Sequence, residues 1–183
     1  MNCLPTPFRW AMLVLCLCLG AALPASAAQS VQAHVPETIA ISSAIRPETL
    51  STGIYHACAI QSDGTVICWG RDDENQATAP TGTFTQVAAG MYHTCGLKTD
   101  GEVACWGEEM FFQQIPAGPF KQISANQTYT CGIEDYGDVV CWGNPMPEPV
   151  PGLELIQVDA GSSHACGVKK DGTLTCWGNN TGG

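Results

Sequence analysis

The sequence predicts an all-β protein made of four copies of one unit. A phrase that opens Tyr55-His56-Ala57-Cys58 and closes Cys68-Trp69-Gly70 returns at residues 92–107, 128–143 and 163–178. Its first cysteines, at 58, 95, 131 and 166, set periods of 37, 36 and 35 residues, a range that marks a repeat architecture. Each copy alternates apolar and other residues up to an Asp-Gly or Tyr-Gly step and then away from it, the pattern of a β-hairpin. No stretch of the repeats carries helical periodicity.

The N-terminus stands apart from this pattern. Arg9 is its one charge, an apolar run covers residues 10–23, and Pro24-Ala25-Ser26-Ala27-Ala28 follows. That is the layout of a secretory signal peptide over residues 1–28, cut after Ala27 or Ala28. The run is short for a membrane span, so no span is expected after cleavage. Cys16 and Cys18 are each preceded by leucine, where lipoprotein processing needs a small residue. Loss of this segment removes Cys3, Cys16 and Cys18 from the 11 cysteines and leaves eight, two per repeat. It also removes Arg9 and leaves six Lys/Arg against 17 Asp/Glu, a net charge of −11. Such acidity repels phosphate backbones and disfavours nucleic acid as a partner. Residues 29–44 read as a leader or linker, with His34 in an exposed loop. The repeats occupy 45–183, in units near 45–80, 81–118, 119–152 and 153–183.

Within the first unit, a three-residue loop of Ser62, Asp63 and Gly64, with glycine left-handed, sets Gln61 opposite Thr65 and Ile60 opposite Val66. Cys58 then faces Cys68, and the same register pairs Cys95 with Cys105, Cys131 with Cys141 and Cys166 with Cys176. Directly opposed residues sit within reach of a disulfide. A two-residue Asp-Gly loop would separate the cysteines. One face of each hairpin holds the cysteines with Ile60 and Val66 or their counterparts. The other holds Trp69, Trp106, Trp142 or Trp177 beside a small residue: Ala59, Gly96, Gly132 or Gly167. Both faces are built for burial, which suits a propeller blade or a solenoid rung. Apolar segments at 84–87, 120–123 and 155–158 add a strand before each later hairpin, and the stretches around Pro80, Pro116 and Pro145 link the units.

The residues Gly90-x-x-His93, Asp100-Gly101-x-Val103 and Trp106-Gly107, with the ending Trp177-Gly178-x-Asn180-x-x-Gly183, resemble the repeat of the regulator-of-chromosome-condensation propellers. The resemblance covers residues 45–183. The cysteine pair is similar to a secreted subset of such repeats, and the fold is similar to that of a secreted bacterial β-lactamase inhibitor protein. The resemblance implies a β-propeller of about four repeats that serves as a binding platform. Rings of this type usually have seven blades, so four units imply an open or partial propeller. That arc would self-associate or pair with another propeller fragment. In the third unit, Asn126 replaces the glycine and Tyr129 the histidine.

Several residues invite a sharper chemistry. His56-Ala57-Cys58 with Cys68 could ligate zinc, but structural zinc pairs are spaced far more tightly, and an even cysteine count in an exported chain reads first as disulfides. His56, His93 and His164 recur at one repeat position, which suits structural hydrogen bonding better than catalysis. Asp72-Asp73-Glu74 could bind calcium but reads as a solvated inter-blade loop. The tryptophans could stack on sugars, yet their fixed place after cysteine argues for core. Asn126-Gln127-Thr128 and Asn179-Asn180-Thr181 are glycosylation sequons in a eukaryotic secretory pathway. No catalytic, metal or cofactor set stands out.

The expected function is that of an exported, extracytoplasmic, non-enzymatic module that binds a protein partner of unknown identity. Its specificity would lie in the variable stretches 71–82, 108–119 and 144–152. Met110, Phe111 and Phe112 are the candidate contact residues, because exposed aromatics and Met mark interfaces. The alternatives are a propeller-based hydrolase or lyase, or a truncated propeller without independent function.

Overall fold

A computed structural model of the chain describes residues 44–47 and 49–181. The signal peptide, its cleavage site, His34 and nearly all of the leader lie outside those residues. Four three-stranded antiparallel sheets follow one another along the chain. The first has β1 (Ser51–Thr52), β2 (His56–Ile60) and β3 (Val66–Gly70). The second has β4 (Phe84–Ala89), β5 (His93–Lys98) and β6 (Val103–Gly107). The third has β7 (Phe120–Ala125), β8 (Tyr129–Glu134) and β9 (Val139–Gly143). The fourth has β10 (Leu155–Ala160), β11 (His164–Lys169) and β12 (Leu174–Gly178). The first strands of all four sheets line one shallow polar cavity of about 390 Å³. They are the inner strands of four blades arranged as an unclosed arc, a partial propeller.

The hairpin register follows from the turn. Gly64 has φ +90°, and the Gln61 N–H donates to the Thr65 carbonyl at 2.8 Å. Cys58 is therefore set opposite Cys68, and the other three hairpins repeat this pairing. Each opposed pair is joined by a disulfide, with Cα atoms 4.0–4.1 Å apart.

Blades stack face to face, the cysteine face of one against the tryptophan face of the next. Cys58 and Ile60 of blade one pack with Phe84, Val87 and Trp106 of blade two. Cys95 and Leu97 pack with Phe120, Ile123 and Trp142 of blade three. Cys131, Ile133 and Val139 pack with Leu155, Val158 and Trp177 of blade four. Glycine beside Trp106, Trp142 and Trp177 makes room for this stacking. A Cβ on Gly96 would lie 2.6 Å from the Phe84 ring, so a side chain there would push blade two's own aromatic out of the interface.

A second layer of bonds ties the inner strands together. β4, β7 and β10 each carry a register shift, after Phe84, Phe120 and Leu155 respectively. A bulge re-aims the side chain beside it. In this way Gln86 reaches across to Ile123, with its amide donating to that carbonyl at 2.7 Å and accepting from that N–H at 2.9 Å. Gln122 clamps Val158 in the same manner, at 2.8 and 2.7 Å. A side-chain amide thus satisfies backbone groups that lie between two sheets.

The end faces differ from the internal ones. Both faces of each hairpin are built for burial, and an open arc leaves the outer faces of its terminal blades uncovered. In blade four Leu174 is 73% exposed, and Cys176 and His164 are exposed. In blade one Leu50 is 60% exposed, and Trp69 is only half-buried. Burial of both faces is a property of a blade with neighbours on both sides, and among the described residues the end blades have one neighbour each.

Candidate protein-binding surface

Histidines open three of the four middle strands, and His56 and His93 bond to the next blade. His56 Nε2 lies 2.6 Å from Thr94 Oγ1, and His93 Nε2 lies 3.0 Å from Thr130 Oγ1. The Thr94 hydroxyl donates onward to the Gln76 carbonyl at 2.9 Å, so His56 presents Nε2–H to it. The Trp106 indole N–H donates to the same carbonyl at 3.0 Å, which fixes the buried loop residue Gln76 between blades one and two. In blade three Tyr129 takes the histidine's place, with its hydroxyl 2.6 Å from the Gly161 carbonyl. His164 is exposed and bonds to no following blade among the described residues.

Burial decides the charge of these rings. Desolvation, aided by nearby His56, brings His93 down to about 4 from an ordinary 6.5. Burial also lowers His56, against the opposing pull of Asp72. The unfolded chain therefore binds protons between about pH 6.5 and 4 that the fold does not. Stability is complete above the unfolded value and is lost as pH falls from about 6.5 towards 4. His93 alone should account for a loss on the order of 3 kcal/mol. Urea midpoints at neutral pH and near pH 4.5 should separate widely in the parent chain and much less in His93→Gln. Equal separations would mean that His93 is charged in the fold.

The loop that follows each Trp-Gly leaves the blade at one recurring anchor. The N–H groups of Arg71, Glu108, Asn144 and Asn179 donate to the carbonyls of Tyr55, Tyr92, Thr128 and Ser163, at 2.8–3.0 Å. In the first two blades the anchoring residue is tyrosine, and an aromatic ridge forms across the arc. The Tyr55 and Tyr92 rings are 6.1 Å apart, and Tyr92 stacks on Phe111 at 6.1 Å with planes 19° apart. The Arg71 guanidinium sits 5.1 Å from the Tyr55 ring and 5.0 Å from the Tyr92 ring. Its Nε donates to Asp73 Oδ1 at 2.6 Å. That bond raises the arginine above its ordinary value and lowers Asp73, so both stay charged.

Carboxylates frame the ridge. Asp72 accepts from the Ala77 N–H at 2.8 Å and the Thr78 hydroxyl at 2.7 Å, so it organises its own loop. Partial desolvation pushes Glu74 up, and Glu108 close by adds to the shift. Glu109 begins a short 3-10 turn, Glu109–Phe111. That turn sends the candidate contact residues in different directions. Met110 is 49% exposed, Phe111 joins the ridge against Tyr92 and His93, and Phe112 turns inward onto the core between blades two and three. Trp106, Trp142 and Trp177 are buried between blades. Sequence reasoning misses Tyr55 and Tyr92, and reaches Arg71 only as the first residue of the variable stretch 71–82. The signal was present as a break in the repeat, since tyrosine precedes the histidine in units one and two while Thr128 and Ser163 stand there in units three and four.

These features define an all-β protein of stacked three-stranded blades, an open propeller with its variable loops on show. The chain carries Regulator of chromosome condensation (RCC1) repeats, matched at residues 49–76, 84–113 and 155–183. Blade three, with Asn126 and Tyr129, falls between the last two matches. No curated protein sequence matches the chain. Among solved structures, the CRINKLY WD40 ectodomain of the Arabidopsis thaliana receptor kinase ACR4 is 33% identical, with a TM-score of 0.63 over 70% of this chain and 49% of that one. The ectodomain of the Physcomitrella patens receptor kinase CR4 is 28% identical, with a TM-score of 0.65 over 71% of this chain and 38% of that one. Yeast RCC1 (Prp20), solved bound to Kap60, shares the fold at 18% identity and a TM-score of 0.58, over 70% and 43% of the two chains. The chain thus spans half or less of the length of these structures. Among the described residues no helix is long and apolar enough to cross a membrane.

Proposed function

We propose that this protein is an exported, non-enzymatic binding module, and that the ridge of Tyr55, Arg71, Tyr92 and Phe111 with exposed Met110 is the surface that meets its protein partner. The observation that carries this reading is the ridge itself. Tyr, Phe, Met and Arg are the residues enriched where proteins meet, and hot spots favour Tyr and Arg. Here Tyr55, Arg71 and Tyr92 flank strand ends joined by backbone hydrogen bonds, and Met110 and Phe111 lie on the 3-10 turn beside them, so little ordering is needed on binding. The surrounding carboxylates suit a partner with a basic surface, which would associate faster at low salt.

Support for export comes from the signal-like N-terminus and from four disulfides, which persist in oxidising compartments. Support for a binding role over an enzymatic one is that most of the recurring polar groups (His56, His93, Thr94, Thr130 and the Gln86 and Gln122 amides) are engaged in joining blades.

The test compares partner recovery from the native extracytoplasmic fraction by the parent chain, by Tyr92→Ala and by Met110→Ala with Arg71→Ala. Each variant is expected to lose a co-purifying species at least tenfold, while its melting curve stays close to the parent's. Equal recovery by both variants would remove the ridge from the partner's footprint.

A further inference from the structure

The molecule holds three worked examples of one interface, and they fall into two kinds. At the first, His56 meets Thr94 and Phe84 covers the Cys58 face. At the second, His93 meets Thr130 and Phe120 covers the Cys95 face. At the third, Tyr129 stands for histidine, and the facing blade offers Ala165 and Leu155 instead of threonine and phenylalanine. A histidine blade thus receives a Thr-and-Phe blade, and the tyrosine blade receives an Ala-and-aliphatic one. The reason is volume and bonding. The short imidazole needs a hydroxyl brought to its Nε2, whereas the longer tyrosine reaches past a small residue to backbone carbonyls.

The open face of blade four continues this series. It repeats the histidine kind, with His164, the Cys166–Cys176 disulfide and exposed Leu174. Gln157 follows a bulge as Gln86 and Gln122 do, and it is exposed. The open face of blade one belongs to the other kind. Ile45 bridges Gln61 where Phe84 pairs with Lys98, and Ala57 lies opposite Trp69 where Thr94 lies opposite Trp106.

We propose that the exposed face of blade four is a docking face for a blade of a partner propeller segment that presents a threonine hydroxyl to His164 and an aromatic ring to the Cys166–Cys176 disulfide, and that it discriminates against blade one of a second copy of this chain. His164 takes the threonine hydroxyl through Nε2, and the Gln157 amide clamps the partner's inner-strand backbone. Ala57 leaves His164 without that partner, so head-to-tail self-pairing is mismatched at both of its faces.

The test is sedimentation equilibrium of the mature chain and of Ala57→Thr, His164→Tyr and the two combined. Both new residues already occupy equivalent positions in other blades, and circular dichroism melts report that each variant folds. The parent should remain monomeric. Ala57→Thr supplies the hydroxyl that His164 of a second copy takes, and His164→Tyr supplies the ring that Ala57 takes. Each single variant should strengthen association about tenfold, the scale of one good hydrogen bond, and the double variant should fall back to the parent. A parent that self-associates as tightly as the single variants, or single variants that match the parent, would overturn the proposal.

Discussion

Trp142→Ala should destabilise the protein by about 3–5 kcal/mol, the range for removing a buried tryptophan from a core. Trp142 is 2% exposed and lies with its ring 5.6 Å from Phe120, both pressed against Cys95 and Leu97 of the blade before. Its loss opens a void between two sheets that the inner-strand clamps hold in register, so the blades cannot close on it. Trp69 occupies the same repeat position in blade one, but it is half-buried on an open face. Trp69→Ala should therefore cost a small fraction as much. Urea denaturation of the two variants beside the parent checks both values. Similar losses at both positions would mean that blade one is covered as fully as blade three.

Replacing Cys95 and Cys105 together by alanine should cost about 3 kcal/mol from loop-closure entropy alone, since the bond spans a short loop. Removal of the fully buried Cys95 sulfur adds lost packing against the aromatic face of blade three. Alanine at Cys166 and Cys176 releases a loop of the same length, with a sequence separation of 10 in each case. There the sulfurs are half-buried and exposed, so the packing loss is small and the total cost should be lower. Calorimetric melts of the two double variants order the pair. A larger loss at blade four would contradict the open-face reading.

The parts of this fold that can be read from sequence are those set by residues close together in the chain. The Ser62-Asp63-Gly64 turn, its left-handed glycine and the spacing of Cys58 from Cys68 fix a hairpin register with no information from elsewhere. The small residues beside the tryptophans foretell that sheets stack closely. The inner-strand clamps were not readable. A bulge after Phe84 or Phe120 leaves no periodic trace, and Gln86 looks like any polar strand residue until Ile123 is placed beside it.

The candidate surface was readable only in part. Loop 108–119 stands out by its Met-Phe-Phe triplet, but the 3-10 turn that separates Phe111 from Phe112 depends on where Tyr92 and the core between blades two and three lie. Arg71 gains its role from two tyrosines that are 37 positions apart in sequence and adjacent only once blades one and two are stacked. His164 shows the limit most plainly. Its phrase matches that of His56, yet it is exposed, because among the described residues no further blade covers it.

Peptide mapping of the exported protein under non-reducing conditions tests the central claim most directly, because it reads the blade register and the compartment together. The account predicts four bridges, each within one repeat: Cys58 to Cys68, Cys95 to Cys105, Cys131 to Cys141 and Cys166 to Cys176. It also predicts an N-terminal peptide that begins near Gln29. Bridges that join different repeats, or eight free thiols on the exported chain, would contradict it.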